Sequence, residues 1–347
     1  MSPPLCASSS GSQPAKTVEL APVSRTPSVG AVVLGTRGSP LARRQTMLVI
    51  EQLQAAWPGL GCEERVVVTT GDRTQETGEP LPEIGGKGLF TLELEDGLRS
   101  GELDLAVHSL KDLPTEDATG VAIGAVCLRE DARDCLVSRE GLRVAELPDG
   151  AVLGTSSLRR AAQLHLLRPG FTLESIRGNV GTRIRKVRTG GYDATVLAAA
   201  GVRRLGLETE VAEWLPPESF LPAPGQGALA VQCREGDDRI LELLHAIDDA
   251  DARATTTAER TFLQELGGGC AAPVAAYAET VRGVADNASN SSSQGGASVR
   301  LRGLVARPDG GEVVRVTGEG EPEEVGARLA HEALAGGADR ILADVRG

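Results

Sequence analysis

Between Thr155 and Arg188 the chain carries seven arginines and one lysine against a single acidic residue, Glu174. The segment holds about +7 in a protein of formal net charge −12, so the remainder sums to about −19. The arginines fall in loop-to-helix settings, Thr155-Ser156-Ser157-Leu158-Arg159-Arg160 and Arg177-Gly178-Asn179-Val180-Gly181-Thr182-Arg183. Guanidinium forks and the free N–H groups of a helix start both suit carboxylate or phosphate. The expected ligand is a small polyanion.

Other segments carry chemistry of their own. His108-Ser109-Leu110-Lys111-Asp112-Leu113-Pro114-Thr115 follows an apolar strand, where open α/β sheets bind ligands. Lys111 offers a cation for carboxylates and Asp112 a carboxylate for cationic or N–H groups; a solvated turn closed by Pro114 is the alternative. Thr36-Arg37-Gly38-Ser39 holds the same position after the first strand. There Ser39 can hold an anion, cap the next helix with Pro40 at its first position, or do both. Gly85-Gly86-Lys87-Gly88 is no phosphate-binding P-loop: Leu81 stands where the motif needs glycine and Gly88 where it needs Ser or Thr. It reads as a lid. Gly267-Gly268-Gly269-Cys270 puts a thiol on a turn stripped of side chains. Cys270 is then either a small buried hydrophobe or a sulfur bearing a covalent group.

The elements that must position these residues alternate strand and helix. Ala31–Gly35 reads as a strand, 41–57 as a helix, 63–70 as a strand, 90–99 as a helix, 103–107 and 121–127 as strands. A second run follows: strands at 134–138, 151–154, 172–176 and 194–198, with helices at 158–167, 180–188 and up to about 205. This alternation predicts mostly parallel sheets covered by helices. Four prolines between 216 and 224 mark a linker, and strand 228–233 is expected to return to the first sheet. Beyond a helix over 251–266, strands at 274–278, 299–305 and 312–316 with a helix over 323–334 make a three-stranded module. The expected domains are 31–129 with 226–248, then 130–225, then 249–347. Residues 1–30 read as a disordered leader and 286–297 as a low-complexity loop.

Composition excludes several classes. With 347 residues, 41% apolar and 24% charged, the chain can build two or three real cores, and at 2% aromatic these rest on Val, Leu, Ile and Ala. Six cysteines and four histidines show no ligand spacing, so no metal is expected. No apolar run approaches the ~18 residues of a membrane span. A pI near 5.0 without aromatics among the arginines argues against nucleic acid. A cytoplasmic, reducing setting is expected, with a plastid as the alternative if the leader is a transit peptide. A non-catalytic anion-binding protein is the rival class; it needs the arginines but has no use for Asp112 or Cys270.

Taken together, six segments in order resemble the porphobilinogen deaminase (hydroxymethylbilane synthase) family. They are Gly35–Ser39, His108–Pro114, Gly154–Arg160, Arg177–Asn179, Pro224–Ala228 and Gly268–Cys270. The resemblance spans about residues 31–347. It implies two α/β domains similar to periplasmic binding proteins around a cleft, with a small C-terminal α/β domain. It implies a transferase that joins four porphobilinogen molecules into hydroxymethylbilane, released to the next tetrapyrrole enzyme. The primer is a dipyrromethane cofactor on the family's cysteine, matched by Cys270. Asp112 matches the catalytic carboxylate; Arg37, Arg159, Arg160, Arg177 and Arg183 match positions that bind acidic side chains or assist chemistry. Arg204, Ser39, Thr155, Ser157 and Lys111 match cofactor contacts, and Lys87 a mobile loop. Family members are generally monomers.

Overall fold

The computed structural model describes residues 31–71, 91–116, 118–269, 272–281 and 298–346. Lys87, Cys270, the leader 1–30 and the loop 286–297 lie outside the described residues. Among the described residues the strands form three sheets.

The first sheet runs in the order β2-β1-β3-β10-β4, with β1 Val32–Arg37, β2 Cys62–Val67, β3 Leu105–Ser109, β4 Val121–Cys127 and β10 Leu229–Arg234. The second runs β7-β6-β8-β5-β9, with β5 Asp134–Ser138, β6 Val152–Gly154, β7 Thr172–Glu174, β8 Ala194–Ala198 and β9 Glu213–Leu215. The third, β11 Val274–Thr280, β12 Val299–Ala306 and β13 Val313–Gly320, is antiparallel throughout. Helix α1, Pro40–Ala56, follows β1 and α2, Leu92–Ser100, precedes β3. Helices α3 Leu158–Leu167, α4 Val180–Arg188 and α5 Ala199–Arg204 accompany the second sheet. Helices α6 Asp238–His245, α7 Ala250–Glu265, α8 Pro322–Ala333 and α9 Asp339–Arg346 complete the order.

The expectation of mostly parallel sheets holds: in each five-stranded sheet four strands run the same way, and one, β10 in the first and β5 in the second, opposes its neighbours. In the first sheet β1 pairs in parallel with β2 and β3, while β10 runs antiparallel to β3 and β4. In the second, β6 is parallel to β7 and β8, while β5 is antiparallel to β8 and β9. Strand–helix alternation reports right-handed parallel crossovers. It cannot report the direction of β10, which re-enters the first sheet after the whole second sheet has been built.

Cores are aliphatic, as the scarcity of aromatics requires. Phe220 and Phe262 head the fully buried side chains, and Leu34, Leu53, Leu94, Leu136, Leu153 and Leu164 follow. Each such burial stabilises the fold by about 1.5–3 kcal/mol. Helix starts follow their capping residues: Ser39 Oγ accepts from Ala42 N at 3.2 Å, and Asn179 Oδ1 accepts from Thr182 N at 2.9 Å. Pro40 occupies the first turn of α1, so capping by Ser39 holds as expected.

Candidate active site

Parallel pairing of β1 with β3 puts Leu34 beside Leu105 and Gly35 beside Ala106, so both strands end on the same edge. Arg37 and Ser39 emerge there next to the turn that follows β3. That strand is displaced from its expected position: it covers Leu105–Ser109, so His108 and Ser109 are strand residues and Lys111 and Asp112 sit in one 3₁₀ turn, Leu110–Asp112. In the second sheet, parallel β6, β7 and β8 likewise end together, and Thr155–Ser157, Arg177 and α5 follow them. Leu41 of α1 reaches toward Gly201 of α5, where an added Cβ would lie 3.4 Å from its Cδ2. The two sheet edges therefore face each other.

Between them lies a cavity of about 240 Å³ lined by Arg37, Ser39, Lys111, Asp112, Arg160, Arg183, Arg204 and Gln226, among others. Five basic side chains and one carboxylate stand on its wall. A second cavity of about 150 Å³ shares Lys111, Asp112, Arg160 and Gln226 and adds Ser157, Arg159 and Gly269. The two meet at the Lys111–Asp112 turn, and the second reaches the residue before Cys270.

Beneath this junction lies a group that sequence reasoning missed. Asp134, fully buried at the start of β5, accepts from Arg159 Nη1 at 2.8 Å and from Arg160 Nη2 at 2.7 Å. Its carboxyl is held far below the usual range: burial opposes ionisation, but the two guanidiniums outweigh it. Gln226 Nε2 donates to Asp134 Oδ1 at 3.0 Å, and Gln226 Oε1 accepts from Lys111 Nζ at 3.3 Å. Burial lowers the Lys111 ammonium to about 8, with Asp112 pulling the other way. Burial also lowers Arg183 to about 10, with Arg160 adding to the shift and Asp112 opposing it. The only sequence signal for Asp134 is one acidic residue opening an apolar strand; Gln226 lay inside a quoted motif without an assigned role.

The remaining expected residues divide. Arg204 lines the first cavity, yet its Nη2 donates to the carbonyls of Leu128 at 2.8 Å and Gly227 at 2.7 Å. These belong to the two segments that cross between the sheets. Ser157 caps α3, its Oγ accepting from Arg160 N at 3.4 Å. Thr155 is buried and its Oγ1 accepts from Ser157 N at 3.2 Å, while Arg177 is exposed; neither lines either of these two cavities. Gln45, unassigned from sequence, lines the first cavity and donates to Ser109 Oγ at 2.8 Å.

Two α/β units thus meet at a cationic cavity at their strand ends, with a third unit against them, the architecture of a two-domain cleft protein with a C-terminal module. A family profile described as "Porphobilinogen deaminase, dipyromethane cofactor binding domain" matches residues 32–242, and "Porphobilinogen deaminase, C-terminal domain" matches 254–335. A porphobilinogen deaminase of Brevibacillus brevis is 44% identical over 318 residues, covering 91% of this chain and 98% of that one. One from Roseiflexus castenholzii is 45% identical over 315 residues, covering 90% and 99%. Among solved structures, the Bordetella pertussis BvgS VFT2 domain aligns over 62% of this chain and 86% of its own at TM-score 0.38 and 19% identity. The chain belongs to the porphobilinogen deaminase family.

Among the described residues no helix is long and apolar enough to cross a membrane.

Proposed function

We propose that this chain condenses four porphobilinogen molecules head to tail, with release of ammonia, to give hydroxymethylbilane. The observation that carries the reading is the junction of the two cavities at Asp112, where one carboxylate stands among Lys111, Arg160 and Arg183. Family membership supports the substrate class.

The residues at the junction fit a dipyrromethane. Such a group carries several carboxylates, and Arg160 Nε is a buried donor without an acceptor among the described residues. Lys111, Ser157, Arg159 and Arg160 would hold those carboxylates, and Cys270, next to Gly269 on the cavity wall, would bear the thioether. When bound, the group supplies the pyrrole terminus that accepts incoming units. Arg37, Ser39, Arg183 and Arg204 face the other cavity and would orient the acetate and propionate of porphobilinogen. Guanidiniums keep their protons across the working range, so this attraction persists at any physiological pH.

Asp112 would act on the incoming unit. Loss of ammonia leaves a cation delocalised onto the pyrrole nitrogen, and a nearby carboxylate stabilises developing positive charge and accepts or relays a proton. Roles for Arg177 and Thr155 are indirect on this reading, through the shape of the loops they occupy. A cytoplasmic monomer that releases its product to the next tetrapyrrole enzyme is the corresponding cellular reading, with a plastid if residues 1–30 are a transit peptide.

Intact-mass spectrometry tests the proposal. Purified active protein is expected to weigh more than the chain by two porphobilinogen units less their ammonia, and Cys270→Ser to lack that increment. Active protein of unmodified mass would overturn the reading.

A further inference from the structure

Arg260, on α7, lines neither of the two cavities yet grips the turn between them. Its Nη1 donates to the carbonyls of Leu110 at 3.4 Å and Leu113 at 3.2 Å, and its Nη2 to that of Pro114 at 2.6 Å. These three carbonyls bracket Lys111 and Asp112. A single 3₁₀ turn leaves most of its carbonyls without partners inside the helix, and only a guanidinium presents enough donors in one plane to take three.

The preceding residue works on the same junction. Glu259 is fully buried and accepts from Gly225 N at 2.7 Å, Ala278 N at 2.8 Å and Arg129 Nη2 at 2.6 Å. Gly225 in turn abuts the Asp112 turn: a Cβ there would lie 3.1 Å from Leu110 Cγ and 3.4 Å from Lys111 N. Helix α7 ends at Glu265, and the chain runs from there to Gly269 on the wall of the second cavity. One helix thus delivers the chain to Cys270 and also holds the backbone that presents Asp112.

We propose that Arg260 is a positioning residue for the condensation. By holding the Leu110–Pro114 carbonyls against α7, it fixes the turn that bears Asp112 relative to the helix that leads to Gly269 on the wall of the second cavity. The inference rests on the reading of Asp112 and Cys270 given above. A rigid strut is needed because each addition must bring the reacting centre back to the same carboxylate, and displacement of about 1 Å costs on the order of a hundredfold in rate.

The test compares holoenzymes carrying Arg260→Met, Arg260→Lys, Arg253→Ala and Asp112→Asn. Arg253 is the control: it lies on the same helix but binds Asp248 and the Gly124 carbonyl, away from the turn. Arg260→Met is expected to keep the cofactor mass, to lower kcat roughly 10- to 100-fold and to leave KM within about threefold. Amides 110–113 should exchange faster in that variant. Arg260→Lys keeps the charge but one nitrogen in place of the fork, and should fall between wild type and Met. Wild-type kcat in both Arg260 variants would overturn the inference. So would an equal loss in Arg253→Ala, or a loss that tracks missing cofactor mass. If Asp112→Asn turns over normally, the reading of Asp112 falls and this inference with it. If Asp112→Asn is inactive while the Arg260 variants are normal, the positioning role alone is refuted.

Discussion

Asp134, at the start of β5 in the second sheet, and Lys111, in the turn that follows β3 of the first, are joined through one amide, whose Nε2 donates to Asp134 and whose Oε1 accepts from Lys111. That amide, Gln226, sits in the segment that crosses from the second sheet back to the first, and also donates to the Ala132 carbonyl at 2.8 Å in the opposite crossing segment. A buried anion in one domain is thereby tied to the cation beside the candidate catalytic carboxylate in the other. The arrangement keeps three basic groups together before any ligand contributes charge.

The first consequence concerns stability. Asp134→Asn leaves the Arg159 and Arg160 guanidiniums buried without a counter-charge, since both Asp134 oxygens serve them. Removing one partner of a buried ion pair costs about 3–5 kcal/mol. Urea denaturation is expected to show a loss of that size; a loss under about 1 kcal/mol would mean that the pair is solvated in the native protein.

Asp112 separates chemistry from folding. It is exposed on a short turn, so Asp112→Ala should leave the denaturation midpoint close to wild type. Turnover should fall at least about a thousandfold if the carboxylate both steadies a cation and handles a proton. Steady-state hydroxymethylbilane formation measures this, and near-normal output would remove Asp112 from the mechanism.

His108 makes acid stability predictable. Burial, and then the charge of Arg37, lower its imidazolium to about 4 from an ordinary 6.5. Between those values the unfolded chain binds the proton and the folded chain does not, so stability falls as pH drops from about 6.5 toward 4. Above 6.5 neither state is protonated and the contribution is constant. At pH 5 the loss from this group is about 2 kcal/mol, by 1.36 kcal/mol per pH unit. His108→Asn should flatten that part of the stability–pH curve, and an unchanged slope would show that another group is responsible.

Much of this fold was legible because local signals and tertiary outcome agree. Ser39 with Pro40, Ser157 and Asn179 announce helix starts, and the strands at 121–127, 134–138 and 194–198 fall where their apolar runs predict. Three elements escaped. β9 is three residues long and exists only because β5 offers it an edge. α6 carries Ile240, Leu243 and Leu244 on one buried face, a pattern readable in principle but short. α9 follows a turn with Gly337 at φ 101° and is held by burial of Ile341 and Leu342 in the third core.

The arginines were legible as a charge cluster but not as individuals. Side-chain type tells which groups can bind a carboxylate; it does not tell which carboxylate. Arg160 and Arg159 spend donors on Asp134, Arg183 donates from Nε to the Gly178 carbonyl at 2.8 Å, and Arg204 binds backbone. A long-range partner such as Asp134, some 25 residues before Arg159, leaves no periodic trace in sequence.

The crossing segments give the sharpest test of how the two α/β units are coupled. Gly227 has φ 94°, a conformation that side chains resist, and a Cβ there would stand 2.2 Å from the Glu130 carbonyl oxygen. That carbonyl is backbone, so the clash cannot be relieved by a rotamer change. Glu130 N donates to the Gly227 carbonyl at 3.1 Å, and Arg204 bridges the same carbonyl to that of Leu128. Gly227→Ala must therefore push the two segments apart and break both bonds. A loss of roughly 3 kcal/mol or more is expected from the strained backbone, the clash and the lost bonds together. Arg204→Leu removes the bridge alone, taking a donor from the Leu128 carbonyl while the Gly227 carbonyl keeps Glu130 N, at about 1–3 kcal/mol. Because both changes act on one contact, the double variant should lose less than the sum of the singles, as measured by equilibrium denaturation of all three proteins. Strict additivity would mean that Arg204 and Gly227 act independently and that the bridge carries no coupling between the segments.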